Sequence, residues 1–256
     1  MKSFDQTHLI LLVVTVAFVA ATMWLASKLP RKGQTWLFAA GALVCAGGIF
    51  WRYAMSMSFS PSNSHLSWET LAIQMLQVCS FNLILVILML VPRLELARQY
   101  SFFFSMFAAA TALVSLPKSW EALDWYAPTI LNSWLNHVFA IALPLWMLAA
   151  RRLKPQKKYI LPVAGCVVAY FVIVYGCTEW LHAVGKLPEE KTFSFVYDPG
   201  GVALLEWLHK VIPIPLLYLV PLIPAMVGFF WLLTWLFRNY KVHRYDAGKS
   251  SKRNTF

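Results

Sequence analysis

The chain has 256 residues, of which 59% are hydrophobic and only 13% are charged, and its mean hydropathy is +0.60. A soluble domain carries about 25% charged residues, whereas several apolar runs here reach the roughly 18 to 20 residues that cross a bilayer. The composition therefore excludes a soluble protein and indicates a polytopic membrane protein. The net charge of +11 gathers at the ends of the apolar runs, which is typical of contacts with anionic lipid headgroups and not of a nucleic-acid surface.

The apolar runs predict an all-α fold, a bundle of seven transmembrane helices. They form a single domain over residues 1–256, with a basic cytoplasmic tail at 238–256. Each run is apolar all the way round, and a helix satisfies its own backbone in lipid. The first run is long enough to span and lacks the small-residue site of a cleavable signal peptide. The predicted spans are residues 8–27, 34–54, 71–91, 100–116, 131–149, 159–180 and 213–237.

The charged residues predict the orientation of these spans. Most of the 22 Lys and Arg residues fall in the loops after spans one, three and five and in the tail, whereas most of the 11 Asp and Glu residues fall on the opposite side. Basic loops stay in the cytoplasm. We therefore predict a multi-pass protein of the plasma (cytoplasmic) membrane, with its N-terminus outside and its C-terminus in the cytoplasm.

The longest loop joins spans six and seven on the outer side, at about residues 181–212. Part of it, residues 202–212, carries an apolar stripe at helical spacing. We expect a short helix in the outer interface with Trp207 as its anchor, or alternatively an extension of span seven. Prolines at the start of span seven are expected to kink or break that helix; they are Pro213, Pro215, Pro221 and Pro224.

A thiol and an imidazole lie at similar depth in two spans that run from outside to inside. Cys79 is eight residues beyond Leu71 in span three, about 12 Å along the helix, and His137 is six residues beyond Leu131 in span five, about 9 Å along. An imidazole can take the proton of a neighbouring thiol and leave a nucleophilic thiolate. The depths therefore predict a Cys79–His137 pair, although Ser80 or Ser133 could serve as the nucleophile instead.

Other polar residues are expected near this pair. Asn82 shares a helix face with Cys79, and Asn132 and Asn136 form an i, i+4 pair beside His137 on span five. Gln74 and Gln77 are expected on a different face of span three, where they fasten helices together; the asparagines have this alternative too. Further candidates in the outer half of the membrane are His8, Arg52, Glu179 and His182.

The remaining cysteines are expected to act as small hydrophobic residues without disulfides; they are Cys45, Cys166 and Cys177. The histidines show no spacing typical of a metal site. We therefore expect no metal and no cofactor.

Short motifs along nearly the whole chain resemble the YwaF-type bacterial integral membrane proteins and their animal relative, transmembrane protein 164, which share a seven-helix layout. The motifs are FDQTHLILL with His8, FWRYAMS with Arg52, LQVCSF with Cys79, LNSWLNHVFAIALPLWMLAARRLKP with His137 and Pro155, and PGGVALLEWLHKVIPIPLLYLVPLIP with Pro213, Pro215 and Tyr218. The chain departs from the family pattern at Gln77, where relatives have a histidine.

The resemblance implies lipid chemistry, because the animal relative is regarded as a phospholipid acyltransferase that uses a cysteine and a histidine. The matching positions are Cys79 and His137. The resulting hypothesis is an integral membrane lipid acyltransferase or transacylase that works through a thioester, with Asn82, Asn132 or Asn136 donating to the oxyanion or orienting the imidazole. A site in the outer half of the membrane favours a membrane phospholipid as acyl donor over cytosolic acyl-CoA.

The alternative is a non-enzymatic transporter, receptor or lipid-binding protein with an outer-facing polar cavity. Neither hypothesis calls for nucleic acid or for a protein partner. A thiol within about 4 Å of the imidazole would favour the enzyme.

Overall fold

The computed structural model describes residues 5–58, 75–116, 123–187 and 193–239, and within these ranges it contains helices and no strands. This confirms the all-helical fold class for the described part of the chain. The α-helices, in chain order, are α1 (Gln6–Lys28), α2 (Arg31–Ser58), α3 (Val78–Leu88), α4 (Glu95–Tyr100), α5 (Met106–Val114), α6 (Pro128–Ala149), α7 (Ile160–Ala183), α8 (Ala203–Val211) and α9 (Leu222–Leu236). A π-helical turn, Ser101–Ser105, joins α4 to α5, and 3-10 turns at Lys157–Tyr159 and Leu217–Leu219 precede α7 and α9.

Five helical segments in the described ranges are long and apolar enough to cross a membrane. They are Gln6–Lys28, Arg31–Trp51, Pro128–Ala149, Lys157–Ala183 and Leu217–Leu236. Helix α1 shows the exposed apolar surface of such a segment: its side chains Val13 and Val16 are each 69% exposed, as lipid-facing residues are. The other two predicted spans take a different form: α3 has only 11 residues, and residues 95–114 form α4, the π-helical turn and α5 in succession.

Helix α6 is the most buried of the five long segments and packs against α1, α2, α3 and α5. Two indole groups attach it to α1, because Trp134 donates to the Thr15 hydroxyl at 3.0 Å and Trp146 donates to the Thr22 hydroxyl at 2.8 Å. Hydrogen bonds between side chains are a common means of joining helices in lipid, where apolar surfaces alone give little preference. Helix α6 is therefore held along its length at the centre of the bundle.

The start of the third predicted span differs from our expectation. Helix α3 begins at Val78, with Gln77 in extended conformation as its N-cap residue, and residues 71–74, including Gln74, lie outside the described ranges. The prediction that Gln77 occupies a second helix face is therefore wrong, because Gln77 precedes the helix. The apolar run continues across this point, so the hydrophobic pattern alone does not show where the helix starts.

The last predicted span also starts later than expected. Helix α8 ends at Val211, and the chain then passes through Pro213, Pro215 and a 3-10 turn before α9 begins at Leu222. Residues 203–211 thus form a separate short helix and not an extension of span seven. The position of this helix in a membrane interface stays a prediction. Two prolines remain near α9 without breaking it: Pro221 is its N-cap residue and Pro224 lies in its first turn, where a missing N–H costs nothing.

Candidate functional site

Two reactive side chains meet where α3 begins beside the middle of α6. The Sγ atom of Cys79, in the first turn of α3, lies 3.2 Å from Nε2 of His137. The two helices run in the same direction. Arg98 donates to the carbonyl of Met89, at the end of α3, and its neighbour Gln99 donates to the carbonyl of Lys154, shortly after the end of α6. Both helices therefore end near the same short segment. The distance is that of a hydrogen bond involving sulfur, so the thiol and the imidazole are in direct contact.

The backbone of α6 fixes the tautomer of His137. Its Nδ1 lies 2.6 Å from the carbonyl oxygen of Ser133, and a carbonyl oxygen can only accept, so Nδ1 carries the proton. In the neutral ring Nε2 is then an acceptor, and it faces the Cys79 thiol. The imidazole is buried and held in the orientation that a general base for this thiol needs.

Helix α3 presents Cys79 within its first turn, next to a cap supplied by a distant part of the chain. The Val78 N–H donates to Oγ of Ser194 at 2.7 Å. The Tyr170 hydroxyl lies 3.1 Å from the same Oγ and donates to the Leu76 carbonyl at 2.9 Å. Ser194 and Tyr170 could not be identified from the sequence, because neither stands in a recognisable pattern with Cys79.

Asn82 lies one turn further along α3, on the same face as Cys79. Its side chain is buried, and Oδ1 accepts a hydrogen bond from the Tyr100 hydroxyl at 3.2 Å. That bond assigns the amide oxygen to Tyr100 and leaves the amide N–H₂ group as a donor beside the cavity that Asn82 lines. Asn82 thus has an amide oxygen held by Tyr100 and lines the same cavity as Cys79.

The two asparagines of α6 face α2 as a linked pair. Asn136 donates to Asn132 Oδ1 at 3.3 Å, and Asn132 donates to the Gly48 carbonyl at 3.3 Å. The Asn136 Oδ1 atom is buried without a hydrogen-bond partner among the described residues. It lies so close to α2 that a Cβ atom at Gly48 would be 1.8 Å away. The expected i, i+4 pair is present, and it joins two helices.

A large apolar cavity adjoins the Cys79–His137 contact. Its volume is about 810 Å³, and its walls come from α3, α5, α6, α7, α8 and the start of α9. Cys79, Asn82, Asn136 and His137 lie on the wall formed by α3 and α6, whereas most of the remaining lining is aliphatic or aromatic. The volume falls within the range of roughly 300–1,000 Å³ that is typical of ligand pockets. The cavity therefore offers an apolar ligand a place next to the thiol.

Two further predicted site residues take part in contacts outside this wall. His8 is fully buried, lies 2.7 Å from the Leu113 carbonyl through Nε2 and packs edge-on against Trp134, so it links α1, α5 and α6. Tyr218 is also fully buried; its hydroxyl donates to the Phe195 carbonyl, and its ring packs on His209. Both positions support the surrounding bundle.

The polar residues at the C-terminal end of α7 form a cluster of their own. The Tyr197 hydroxyl donates to the Glu179 carboxylate, and the Tyr197 ring stacks on Tyr175 and lies near His182. Burial and the hydrogen bond to Glu179 raise the pKa of Tyr197. The expected candidates Glu179 and His182 are thus beside each other but do not line the cavity.

The remaining candidates from the sequence are two serines, an arginine and the other cysteines. Ser80 is buried and does not line the cavity, and Ser133 Oγ is 3.5 Å from His137 Nδ1. The Arg52 side chain lies outside the described residues. None of the four cysteines, which all lie in the described ranges, forms a disulfide bond, and no group of three or more His, Cys, Asp or Glu residues in these ranges is arranged to hold a metal ion.

Comparisons with known proteins add a family relationship. The sequence model of the TMEM164 family matches residues 3–220, a range that includes Cys79, His137 and every helix up to the 3-10 turn before α9. No curated protein and no solved structure matches the chain.

Proposed function

The chain belongs to the TMEM164 family, and from this premise we propose that it is an integral membrane lipid acyltransferase or transacylase with Cys79 as nucleophile and His137 as general base. The observation that carries the proposal is the 3.2 Å contact between Sγ and Nε2 at the wall of a large apolar cavity. A nucleophile within hydrogen-bond reach of a base, which a third group orients, is the arrangement required for covalent catalysis. Here the third group is the Ser133 carbonyl.

The first half-reaction would load the enzyme. His137 Nε2 takes the thiol proton, and Sγ attacks the carbonyl carbon of an acyl ester in a phospholipid. The C–O bond of the ester then breaks, the departing alkoxide of the lysophospholipid takes the proton from Nε2, and a thioester remains on Cys79. Protonation of the leaving group by the same imidazole keeps the site neutral overall.

The second half-reaction would reverse these roles. The hydroxyl group of an acceptor lipid gives its proton to Nε2 as its oxygen attacks the thioester carbonyl. The C–S bond breaks, and the Cys79 thiolate recovers the proton from the imidazolium. In both steps we propose that the Asn82 amide N–H₂ group donates to the developing oxyanion, which is the type of interaction that is usually worth most in acyl transfer.

The contacts of the serines favour Cys79 over them as the nucleophile. Ser133 lies next to Nδ1, which already carries the proton bonded to the Ser133 carbonyl, so that nitrogen has no lone pair with which to accept. Ser80 is almost fully buried and does not line the cavity. Cys79 combines access to the cavity with contact to the free lone pair of the imidazole.

Gln77 stands where relatives in the family have a histidine, and its position in the structure shows whether the mechanism needs that residue. Gln77 precedes α3 and makes no side-chain capping bond, while His137 supplies the base that the mechanism needs. We propose that the glutamine at this position is compatible with activity, because no step above passes through it.

The membrane arrangement that we propose has seven spans in the plasma membrane, with residues 71–91, which contain α3, and the α4–α5 run as the two further spans and with the N-terminus outside. Under this arrangement the start of α3 lies in the outer half of the membrane. The acyl donor would then be a phospholipid of the same leaflet.

Acyl transfer by the purified protein in lipid nanodiscs tests the proposal, with phospholipids that carry a labelled acyl chain and an unlabelled lysophospholipid as acceptor. Cys79→Ala should lose transfer by about 10³-fold or more, since a covalent route has no substitute nucleophile. Cys166→Ala is the matched control, because this thiol lies outside the cavity lining. Full transfer by Cys79→Ala, or no transfer by the wild type while labelled phospholipid still binds both proteins equally, would favour the non-enzymatic lipid-binding alternative.

A further inference from the structure

The first turn of α3 is capped by a segment that lies more than a hundred residues further along the chain. The Ser194 hydroxyl accepts from the Val78 N–H at 2.7 Å and donates to the Leu76 carbonyl. The Tyr170 hydroxyl, from α7, lies within 3.1 Å of the same oxygen. The first N–H groups of a helix have no partner within the helix, and here one of them receives its acceptor from Ser194, directly before Cys79.

The segment that contains Ser194 is anchored on its other side to the approach to α9. The Leu216 N–H donates to the Val196 carbonyl at 2.7 Å, and the Tyr218 hydroxyl donates to the Phe195 carbonyl. Ser194, Phe195 and Leu216 have φ values of 52°, 61° and 63°, a left-handed conformation that is costly for residues other than glycine. Such conformations persist where surrounding contacts hold them, as these bonds do.

The same segment forms part of the cavity wall. Phe195 and Leu216 both line the cavity beside Cys79, whereas Ser194 and Tyr170 do not touch it and act through the backbone of α3. One short segment therefore shapes the cavity and fixes the start of the helix that carries the thiol.

We propose that Ser194 is a positioning residue for Cys79: it caps α3 with the support of Tyr170, and in this way holds the thiol against His137. This inference rests on the proposed function of the Cys79–His137 pair. It predicts that the neutral-pH reactivity of Cys79 depends on a hydroxyl in the loop between α7 and α8.

Alkylation of Cys79 tests the inference without any acyl-transfer assay. The full chain in lipid nanodiscs, with Cys45, Cys166 and Cys177 replaced by Ala, is treated with N-ethylmaleimide at about pH 7 and about pH 10, and the adduct is followed by mass spectrometry. The ratio of the two rates reports the thiolate fraction at neutral pH, because at about pH 10 an ordinary thiol is ionised as well. Ser194→Ala and Ser194→Gly should each lower this ratio about tenfold, since the base no longer faces the sulfur in a fixed geometry.

Two tyrosine variants sharpen the test. Tyr170→Phe keeps the ring that stacks on Phe81 at 4.5 Å and removes the hydroxyl, so it should lower the ratio by a smaller factor. Tyr175→Phe, five residues further along α7, is the matched control and should leave the ratio unchanged. A cap that only stabilises the fold would lower the thermal stability and leave every ratio at the wild-type value, and that result would overturn the inference.

The failure of this inference is distinguishable from the failure of the proposed function. If the wild-type ratio equals that of His137→Asn, the thiol and imidazole are not coupled, and both the proposed function and the inference fail. If the wild-type ratio is high and the Ser194 variants keep it, the inference alone is wrong. A drop in Tyr175→Phe as large as that in Tyr170→Phe would also contradict it.

Discussion

At the scale of single residues, the site depends on the difference between the two nitrogens of one imidazole. The Nδ1–H of His137 is engaged by the Ser133 carbonyl at 2.6 Å, and Nε2 faces the Cys79 sulfur at 3.2 Å. These two contacts separate the structural role of the ring from its proposed chemical role. A substitution that preserves one contact and removes the other can therefore test each role by itself.

His137→Asn makes this separation. The amide N–H₂ of asparagine stands close to the place of Nδ1 and can still donate to the Ser133 carbonyl, whereas nothing replaces Nε2. We expect the variant to fold with near wild-type thermal stability and to lose acyl transfer by roughly 10²–10⁴-fold, the usual contribution of a general base. Acyl-transfer rates and melting curves measured on the same preparation check this, and a variant that transfers acyl groups at the wild-type rate would contradict the role of Nε2.

Asn82 gives a second prediction at this scale. Asn82→Ala removes the proposed oxyanion donor and should lower the rate of transfer by about 10²–10³-fold. Tyr100→Phe is its control, since it removes only the partner of Oδ1 and leaves the amide donor in place. Rates measured with the donor lipid at saturation should therefore fall far more in Asn82→Ala than in Tyr100→Phe; equal losses would show that Asn82 matters only through its bond to Tyr100.

At the scale of elements, the approach of α2 to α6 depends on the missing side chain of one glycine. A Cβ atom at Gly48 would lie 1.8 Å from Asn136 Oδ1, whereas a Cβ atom at Gly47 would meet nothing within 4 Å. We expect Gly48→Ala to force α2 away from the asparagine pair and to destabilise the fold by about 1–3 kcal/mol, the usual cost of overpacking. Gly47→Ala should leave the stability unchanged or raise it slightly, because alanine favours a helix more than glycine does.

Thermal unfolding in one detergent, together with the rate of Cys79 alkylation, compares the two variants. The neighbouring glycine serves as the control, because both substitutions change helix propensity alike. Equal stability of the two variants would contradict the close packing of α2 on Asn136.

Some of the helices and their contacts could be predicted from the sequence, and others could not. The hydrophobic runs located the five long segments. The depth argument brought Cys79 and His137 together, although it counted a continuous helix from Leu71 and α3 begins only at Val78. The start of α3 could not be found in this way, because its cap is Ser194, whose contact with Val78 bridges 116 positions. No local pattern encodes a cap of that kind. The asparagine contact with Gly48 likewise depends on how α2 and α6 pack.

At the scale of the whole molecule, the distribution of basic residues predicts which side of the membrane each loop occupies. Single cysteines introduced by Asp124→Cys, in the loop before α6, and by Lys158→Cys, in the turn before α7, report on opposite sides of one span; both native side chains are exposed. In intact cells, a membrane-impermeant maleimide should label the cysteine at 124, and the cysteine at 158 should react only after the membrane is permeabilised. The reverse pattern would contradict the proposed orientation and, with it, a donor lipid in the outer leaflet.

The cavity links this orientation to the chemistry. Its walls come from helices along most of the chain, so the bundle as a whole places an apolar volume of about 810 Å³ beside one thiol. The proposed acyltransferase needs both the cavity and the Cys79–His137 contact, whereas a protein that only binds lipid needs the cavity alone.

The proposal that Cys79 carries the acyl group as a thioester is tested by detecting the acyl group on Cys79 itself. The wild-type protein is incubated with a phospholipid that carries an isotope-labelled acyl chain, without an acceptor, and the peptide that contains Cys79 is analysed by mass spectrometry. We predict a labelled adduct on Cys79 that hydroxylamine removes, that an added lysophospholipid discharges, and that is weak in His137→Asn. Acyl transfer by the wild type with no adduct on Cys79, or with the adduct on another residue, would contradict the account.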